Sequence, residues 1–271
     1  MNKQIIGFIG TGNMAESMIR GLTTKEFNSR MLWATDIDEA RLAYIAENYD
    51  VVPKSLETIA EGADVIILAV KPQSIELVLT NLADHIRQDK QLIISIAAGI
   101  TTSEIERHCG TTLSLVRCMP NTPAMIGFGA TGLFANKRVS INQRQEADSI
   151  LKTLGINAWV DNEDKIDVIT AISGSGPAYF FLFIEALQDI STELGLDDNL
   201  SKKLVNQTAM GAAHLAQTQV DDIAGLRQKV TSPGGTTEAA IKVFESGGFK
   251  KLVKEAALAA HKRSINIAKN K

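Results

Sequence analysis

The chain opens on apolar positions Ile5, Ile6, Phe8 and Ile9, breaks at Gly10-Thr11-Gly12, and resumes with Met14, Ala15, Met18, Ile19 and Leu22 at helical spacing. A short apolar run, a glycine turn and a 3.6-residue period predict strand, turn and helix in immediate succession. The alternation continues: 31–36 reads as a second strand, 38–49 as a helix, Val51-Val52 as a short extended segment and 55–61 as another helix. Residues 63–70 are almost all apolar, as in a strand covered on both faces. Lys71-Pro72 breaks that run into a helix at 73–85, and 92–97 is a further buried strand that stops at Gly99. Strand-like runs at 113–116, 132–135 and 158–160 complete this half. Strands alternating with helices predict an α/β domain, a doubly wound and mostly parallel sheet with helices on both faces.

From about Asp164 the period is helical only, with helices expected at 177–194, 201–217, 222–229, 237–245 and 249–269. Two domains are therefore expected, 1–162 and an all-α 163–271. The first of these helices is apolar on nearly every side, which requires burial all round. A domain of about a hundred residues has too little interior for that, so a second copy of the chain is the expected cover.

Composition narrows the function classes. With 45% hydrophobic residues the chain can bury a large core. A net charge of −3 and no basic block argue against a nucleic-acid surface. Charged or polar residues interrupt every apolar run, so no membrane span is expected. The amino terminus enters a strand without a signal-peptide layout. Cys109 and Cys118 make neither a disulfide framework nor a metal ligand set and read as reduced thiols of a cytoplasmic protein.

Candidate chemistry begins at the glycine turn. Gly10 permits the tight turn, Gly12 lets backbone approach a pyrophosphate, and the helix that follows offers free N–H groups and a positive dipole end. The third glycine of the dinucleotide fingerprint is replaced by Ala15. In open parallel sheets ligands bind beyond the carboxyl ends of the strands. The candidate positions are therefore Ile9, Gly10, Thr11, Gly12, Asn13 and Met14, then Asp36, then Ala69, Val70, Lys71 and Pro72, and finally Ala97, Ala98 and Gly99. Asp36 lies 26 residues after Gly10. A carboxylate there accepts from ribose hydroxyls and repels a 2′-phosphate, which favours NADH over NADPH; it can equally cap the next helix. Two glycine-rich segments in the helical half, Ser173-Gly174-Ser175-Gly176-Pro177 and Thr231-Ser232-Pro233-Gly234-Gly235-Thr236-Thr237, read as flexible loops feeding helix N-termini. Such loops suit a substrate carboxylate. Met119-Pro120-Asn121-Thr122-Pro123 reads as a rigid loop closing over the site.

G-F-I-G-x-G-N-M-A, A-V-K-P, M-P-N-T-P, S-G-S-G-P-A-Y and T-S-P-G-G-T-T, in this order and across nearly the whole chain, resemble pyrroline-5-carboxylate reductase. The resemblance implies reduction of 1-pyrroline-5-carboxylate to L-proline with NADPH or NADH and no metal. It also implies a Rossmann domain followed by a helical domain that interleaves into a homodimer, often assembled further into a ring of dimers (a decamer). By matching motif, the substrate would meet Ser173, Gly174, Ser175, Gly234, Gly235, Thr236 and Thr237. Thr237 is the expected catalytic hydroxyl, and Glu163 would lie near the cofactor. This chain departs from the family in having Asp36 after the second strand, no Asn near Leu56, and Asp221-Asp222-Ile223 where His-Pro is usual. Two other readings share the dinucleotide half. A hydroxyacid dehydrogenase would need a lysine after Ser173–Gly176, and 177–187 holds none. A non-enzymatic nucleotide-binding regulator has no use for two anion loops.

Overall fold

The computed structural model describes residues 4–88, 90–218 and 222–269, so Asp221 lies outside it. The first half alternates as the apolar pattern predicts. Strand β1 (Ile6–Ile9) leads to helix α1 (Asn13–Thr24), β2 (Leu32–Thr35) to α2 (Glu39–Tyr49), and β3 (Val52–Pro53) to α3 (Leu56–Gly62). Then follow β4 (Val65–Leu68), α4 (Ile75–Leu82), β5 (Leu92–Ser95) and α5 (Thr102–Cys109), and β6 (Ser114–Met119), β7 (Gly129–Ala135), α6 (Ile141–Leu151) and β8 (Gly155–Val160). Among the described residues eight strands form one sheet in the order β3-β2-β1-β4-β5-β6-β7-β8. The first six strands pair in parallel, whereas β7 runs antiparallel to β6 and parallel to β8.

The two-residue period of the strands builds two cores. Val65, Ile67, Leu92 and Ile94 point to the face shared with α1 and α6, while Ile66, Leu68 and Ile93 point to the face shared with α3, α4 and α5. That is why the runs at β4 and β5 carry no polar residue facing solvent: neither face has any. Cys109 and Cys118 are buried in these cores, and burial pushes the Cys109 thiol up to about 11 and that of Cys118 higher still.

Helices α5 and α6 are not among the elements expected from periodicity. Their signals are capping boxes. Thr101 Oγ1 accepts from the Glu104 N–H while Glu104 accepts from the Thr101 N–H, and Ser140 and Gln143 repeat the arrangement.

The helical half contains α7 (Lys165–Ile169), α8 (Gly176–Glu193), α9 (Asp198–Thr218), α10 (Ile223–Lys229), α11 (Thr236–Ser246) and α12 (Phe249–Lys269). Between α7 and α8 the chain does not form the loop expected at Ser173–Pro177. Thr170–Gly174 takes a π-helical turn, closed by the Ser175 N–H donating to the Thr170 carbonyl at 2.8 Å, and the helix continues. Glycine and proline there mark a widened turn, with Pro177 in the first turn of α8 where its missing N–H costs nothing. Lys165–Glu193 is a single helix of 29 residues, and an 18-residue stretch of it has a mean hydropathy of 1.3, so by length and composition alone it could cross a membrane.

Residues 4–175 and 260–269 form one compact unit and 176–259 a second, so that the start of the helical half packs with the sheet. The physical reason is α7. Ile169 lies where a Cβ on Gly132 would sit, 2.5 Å from its Cδ1, so α7 is packed directly on β7. In the second unit α8 and α9 are joined through Ser191 and Ser201, and Phe183, Phe244 and Phe249 form a ring cluster with centroids 6.1 and 5.5 Å apart. Large apolar side chains remain uncovered on a single chain, among them Phe180, Phe181 and Leu182 on α8 and Met210 on α9.

Candidate active site

The parallel strands end level. The Gly10 N–H donates to the Thr35 carbonyl at 2.9 Å, the Ala69 N–H to Ile9 at 2.8 Å and the Ile96 N–H to Leu68 at 3.1 Å. The carboxyl ends of β2, β1, β4 and β5 thus stand side by side, bringing the glycine turn, Asp36, Ala69–Pro72 and Ala97–Gly99 to one edge. Gly10 has φ +94°, and a Cβ there would lie 2.7 Å from the Ala69 carbonyl oxygen, so only glycine serves. At Gly12 the direction of a Cβ is open space, and Gly12 caps α1 without any side-chain acceptor on the first-turn N–H groups. An open cradle in front of an uncapped helix terminus fits a dinucleotide pyrophosphate. Pro72 opens a 3₁₀ turn after β4, leaving Lys71 exposed.

Asp36 does not cap α2; Asp38 does, accepting from the Arg41 N–H at 3.0 Å. Asp36 instead binds the glycine turn. Its Oδ2 accepts from the Thr11 N–H at 2.6 Å and the Thr11 hydroxyl at 2.8 Å, and its Oδ1 accepts from the Asp38 N–H at 3.0 Å. Burial alone would raise its pKa, but these hydrogen bonds outweigh burial and hold the carboxyl below its ordinary value. Beside it stands a group that sequence reasoning missed. Arg41 Nε donates to the Thr11 carbonyl at 2.8 Å, and Arg41 pairs with Glu16 of α1. Tyr49 donates to the other Glu16 oxygen at 2.8 Å. Burial opposes ionisation of Glu16 too, and Arg41 and Tyr49 bring its pKa below the ordinary value.

Glu163 lies at a second junction. Its carboxylate accepts from the Thr102 N–H at 2.8 Å and the Thr102 hydroxyl at 2.7 Å, anchoring the start of α5 just after Ala97–Gly99. It also pairs at 3.3 Å with Arg117, a β6 residue only 2% exposed, whose other nitrogen meets Asp167 at 3.3 Å. Asp167 accepts from Ser264 as well, at 2.8 Å. A single arginine inside the apolar run Leu-Val-Arg-Cys-Met was the available signal for this cluster, and the carboxylates it meets are 46 and 50 positions away.

The Met119–Pro123 segment is a strand end followed by a 3₁₀ turn (Thr122–Ile126). Asn121 ties it down, donating to the Ser173 carbonyl at 3.2 Å and accepting from the Ala130 N–H at 2.9 Å. A Cβ on Gly174 would lie 2.6 Å from Met119 Cε, so this loop and the π turn are in contact. In the second unit Thr231–Gly235 is a loop as expected. Gly234 has φ +71° and its N–H is held by Glu238 at 2.9 Å, and Gly235 caps α11 with no side-chain acceptor. Thr236 is exposed and Thr237 half-buried in the first turn. The departure at Asp222 is a cap: its side chain accepts from the Gly225 N–H at 2.6 Å.

A family described as pyrroline-5-carboxylate reductase dimerisation matches residues 163–267, and one described as NADP oxidoreductase, coenzyme F420-dependent, matches 5–99. The chain is 46% identical over 270 residues to a pyrroline-5-carboxylate reductase of Pseudomonas aeruginosa, covering 99% of this chain and 98% of that one. It is similar in structure to a pyrroline-5-carboxylate reductase from Coxiella burnetii, with a TM-score of 0.93 at 42% identity over 98% and 99% of the two chains. A pyrroline carboxylate reductase of Plasmodium falciparum with NADP bound superposes with a TM-score of 0.88 at 31% identity over 99% of each chain.

Proposed function

This chain belongs to the pyrroline-5-carboxylate reductase family and reduces 1-pyrroline-5-carboxylate to L-proline with NAD(P)H, the last step of proline biosynthesis; we propose how its own residues do so. When bound, the dinucleotide supplies a hydride to the imine carbon while a proton reaches the nitrogen. Little acid–base power is needed for this. A protonated cyclic imine is already a good acceptor, and orientation and water exclusion carry most of the barrier reduction.

The glycine turn from Ile9 to Met14 holds the pyrophosphate through the uncapped N-terminus of α1, and Asp36 accepts from the adenosine ribose. Ala69, Val70, Lys71 and Pro72, with Ala97, Ala98 and Gly99, frame the nicotinamide half. Glu163 acts on this half indirectly, by fixing Thr102 at the start of α5. The substrate carboxylate is taken by the N–H groups of Thr236 and Thr237 at the start of α11, with Gly234 and Gly235 forming the turn before them, and Ser173, Gly174 and Ser175 are assigned to the substrate by their matching motif. Thr237 orients the imine nitrogen or hands it a proton. The uncapped start of α11 behind a loop of two glycines carries this assignment. Thr237→Val is expected to lower turnover at saturating substrate about a hundredfold, with Thr237→Ser retaining most of it; full turnover in the valine variant would remove the role. Asp36 makes NADH the better coenzyme, so Asp36→Ser is expected to move the kcat/KM ratio toward NADPH.

The chain carries a dimerisation domain. We infer that the exposed apolar faces of α8 and α9 are covered in a homodimer, built further into a decameric ring, and that Lys165–Glu193 meets a partner helix rather than lipid. The enzyme works in the cytoplasm on this reading, without nucleic-acid or membrane partners. Sedimentation of the purified chain tests the assembly; a monomer at micromolar concentration would overturn it.

A further inference from the structure

Resting on the reading of the glycine turn as the nucleotide site, we propose that Glu16 sets the coenzyme preference by engaging the guanidinium of Arg41, which would otherwise be free to meet a ribose 2′-phosphate. Two charged side chains bind Thr11, itself fully buried in the turn, and a third binds one of them. Asp36 binds its N–H and hydroxyl, Arg41 binds its carbonyl, and Glu16 binds Arg41. Arg41 is the cation of this group, in the first turn of α2 just beyond the end of β2, where the fold presents the adenosine ribose. An arginine there is what a 2′-phosphate would use, since its fork matches phosphate oxygens.

In this chain that cation is already committed. Its Nε is spent on the Thr11 carbonyl, its Nη2 on Glu16, and its plane lies over the Tyr44 ring at 5.1 Å. The Glu16 carboxylate is held from its other side by the Tyr49 hydroxyl at 2.8 Å, so it cannot swing away with the arginine. Both side chains of the pair are shielded, at 25% and 20% exposure, so water and salt screen the pair only partly. A 2′-phosphate would have to replace Glu16 as the partner of Arg41 and leave a sheltered carboxylate unpaired. It would also meet Asp36. With two carboxylates against one guanidinium, the edge carries a net charge of −1 from these groups and favours a bare ribose diol. Glu16 is thus a positioning residue that works through Arg41, and it adds to the direct repulsion from Asp36.

The experiment measures dissociation constants of 5′-ADP and 2′,5′-ADP, together with kcat/KM for NADH and NADPH, on the full-length enzyme. In Glu16→Gln the preference for 5′-ADP over 2′,5′-ADP is expected to fall about tenfold, and the NADH/NADPH ratio to fall with it. The shift should shrink at 0.5 M salt. In the double variant Glu16→Gln/Arg41→Gln the shift should vanish, because no cation remains to be released. Tyr49→Phe, which also loosens Glu16 but leaves its charge opposite Arg41, controls for local disruption and should move the ratio by less than half as much. If Glu16→Gln does not fold, Glu16→Asp, whose shorter carboxylate loosens the pair, is expected to shift both ratios the same way by a smaller factor. An unchanged ratio in the single variant, or an equal shift in the double variant, would overturn the assignment to Glu16 and Arg41. Wild-type enzyme that bound neither probe nor NADH would instead overturn the nucleotide reading on which this one rests.

Discussion

Arg117 offers the most demanding test of how the nucleotide-binding unit is held together. Replacing it with methionine keeps much of its volume but removes a guanidinium 2% exposed, facing Glu163 and Asp167 at 3.3 Å each. At that distance each charge pair is worth about 5 kcal/mol at an effective dielectric of about 20, before the cost of desolvating the arginine is subtracted. Loss of one partner from a buried pair costs about 3–5 kcal/mol in general. The lower end applies here, because Glu163 keeps two bonds from Thr102 and Asp167 keeps one from Ser264. A loss of about 3 kcal/mol lowers the Tm of a unit this size by about 6–12 °C. Urea unfolding followed by circular dichroism checks the figure. Glu163→Gln alone should cost less, about 1–2 kcal/mol, since an amide oxygen still accepts from Thr102. The double variant should fall short of the sum by at least about 1 kcal/mol if the two groups act as a unit. An Arg117→Met enzyme within about 1 kcal/mol of wild type would refute the reasoning. It would mean that the two carboxylates are adequately served by Thr102, Ser264 and water.

Two further outcomes follow from single residues. Gly10→Ala places a Cβ 2.7 Å from the Ala69 carbonyl at φ +94°, so it should destabilise by about 1–3 kcal/mol and weaken NADH binding at least about tenfold, read by fluorescence titration. Glu146 on α6 is held up to about 7 by burial, with Asp64 adding to the effect, and its Oε1 is buried without a hydrogen-bond partner. Its folded pKa exceeds the unfolded one, so the native state binds the extra proton and stability falls as pH rises from about 4.5 through 7. Glu146→Gln should therefore raise stability at pH 8 by on the order of 1 kcal/mol, after discounting for part-exposure, and change little at pH 4. Equal effects at both pH values would count against the assignment.

The regular part of the fold is legible because its constraint is local. Strands buried on both faces must be apolar throughout, and helices between them must carry a 3.6-residue stripe, so β1 to β5 and α1 to α4 are announced by the pattern of apolar positions. Helices α5 and α6 escape periodicity because each, as T-S-E-I-E-R-H-C and I-N-Q-R-Q-E-A-D-S-I-L, is mostly polar with only a few apolar positions, and their capping boxes are the clearer signal. The S-G-S-G segment misleads for a different reason. Glycine, serine and proline are what a loop uses, yet they also suit a π turn in which Gly174 must clear Met119. In the site, the glycine turn is readable because its geometry depends on neighbours in sequence. The Arg41–Glu16 and Arg117–Glu163–Asp167 clusters depend on pairings 25, 46 and 50 residues apart, which only the parallel crossover and the docking of α7 on the sheet bring about.

The return of the chain to its first unit has a practical consequence. Residues 176–259 leave and rejoin the same body, with Asp167 just before the departure and Ser264 just after the return sharing one hydrogen bond of 2.8 Å. In topological terms the helical unit is an insertion, stitched at its base. A fragment ending at residue 162 would strip Arg117 of both carboxylates and bare the patch of β7 that Ile169 covers. A self-sufficient nucleotide-binding fragment would have to splice residue 175 to residue 260 by a short linker, keeping the stitch and discarding only what lies beyond it.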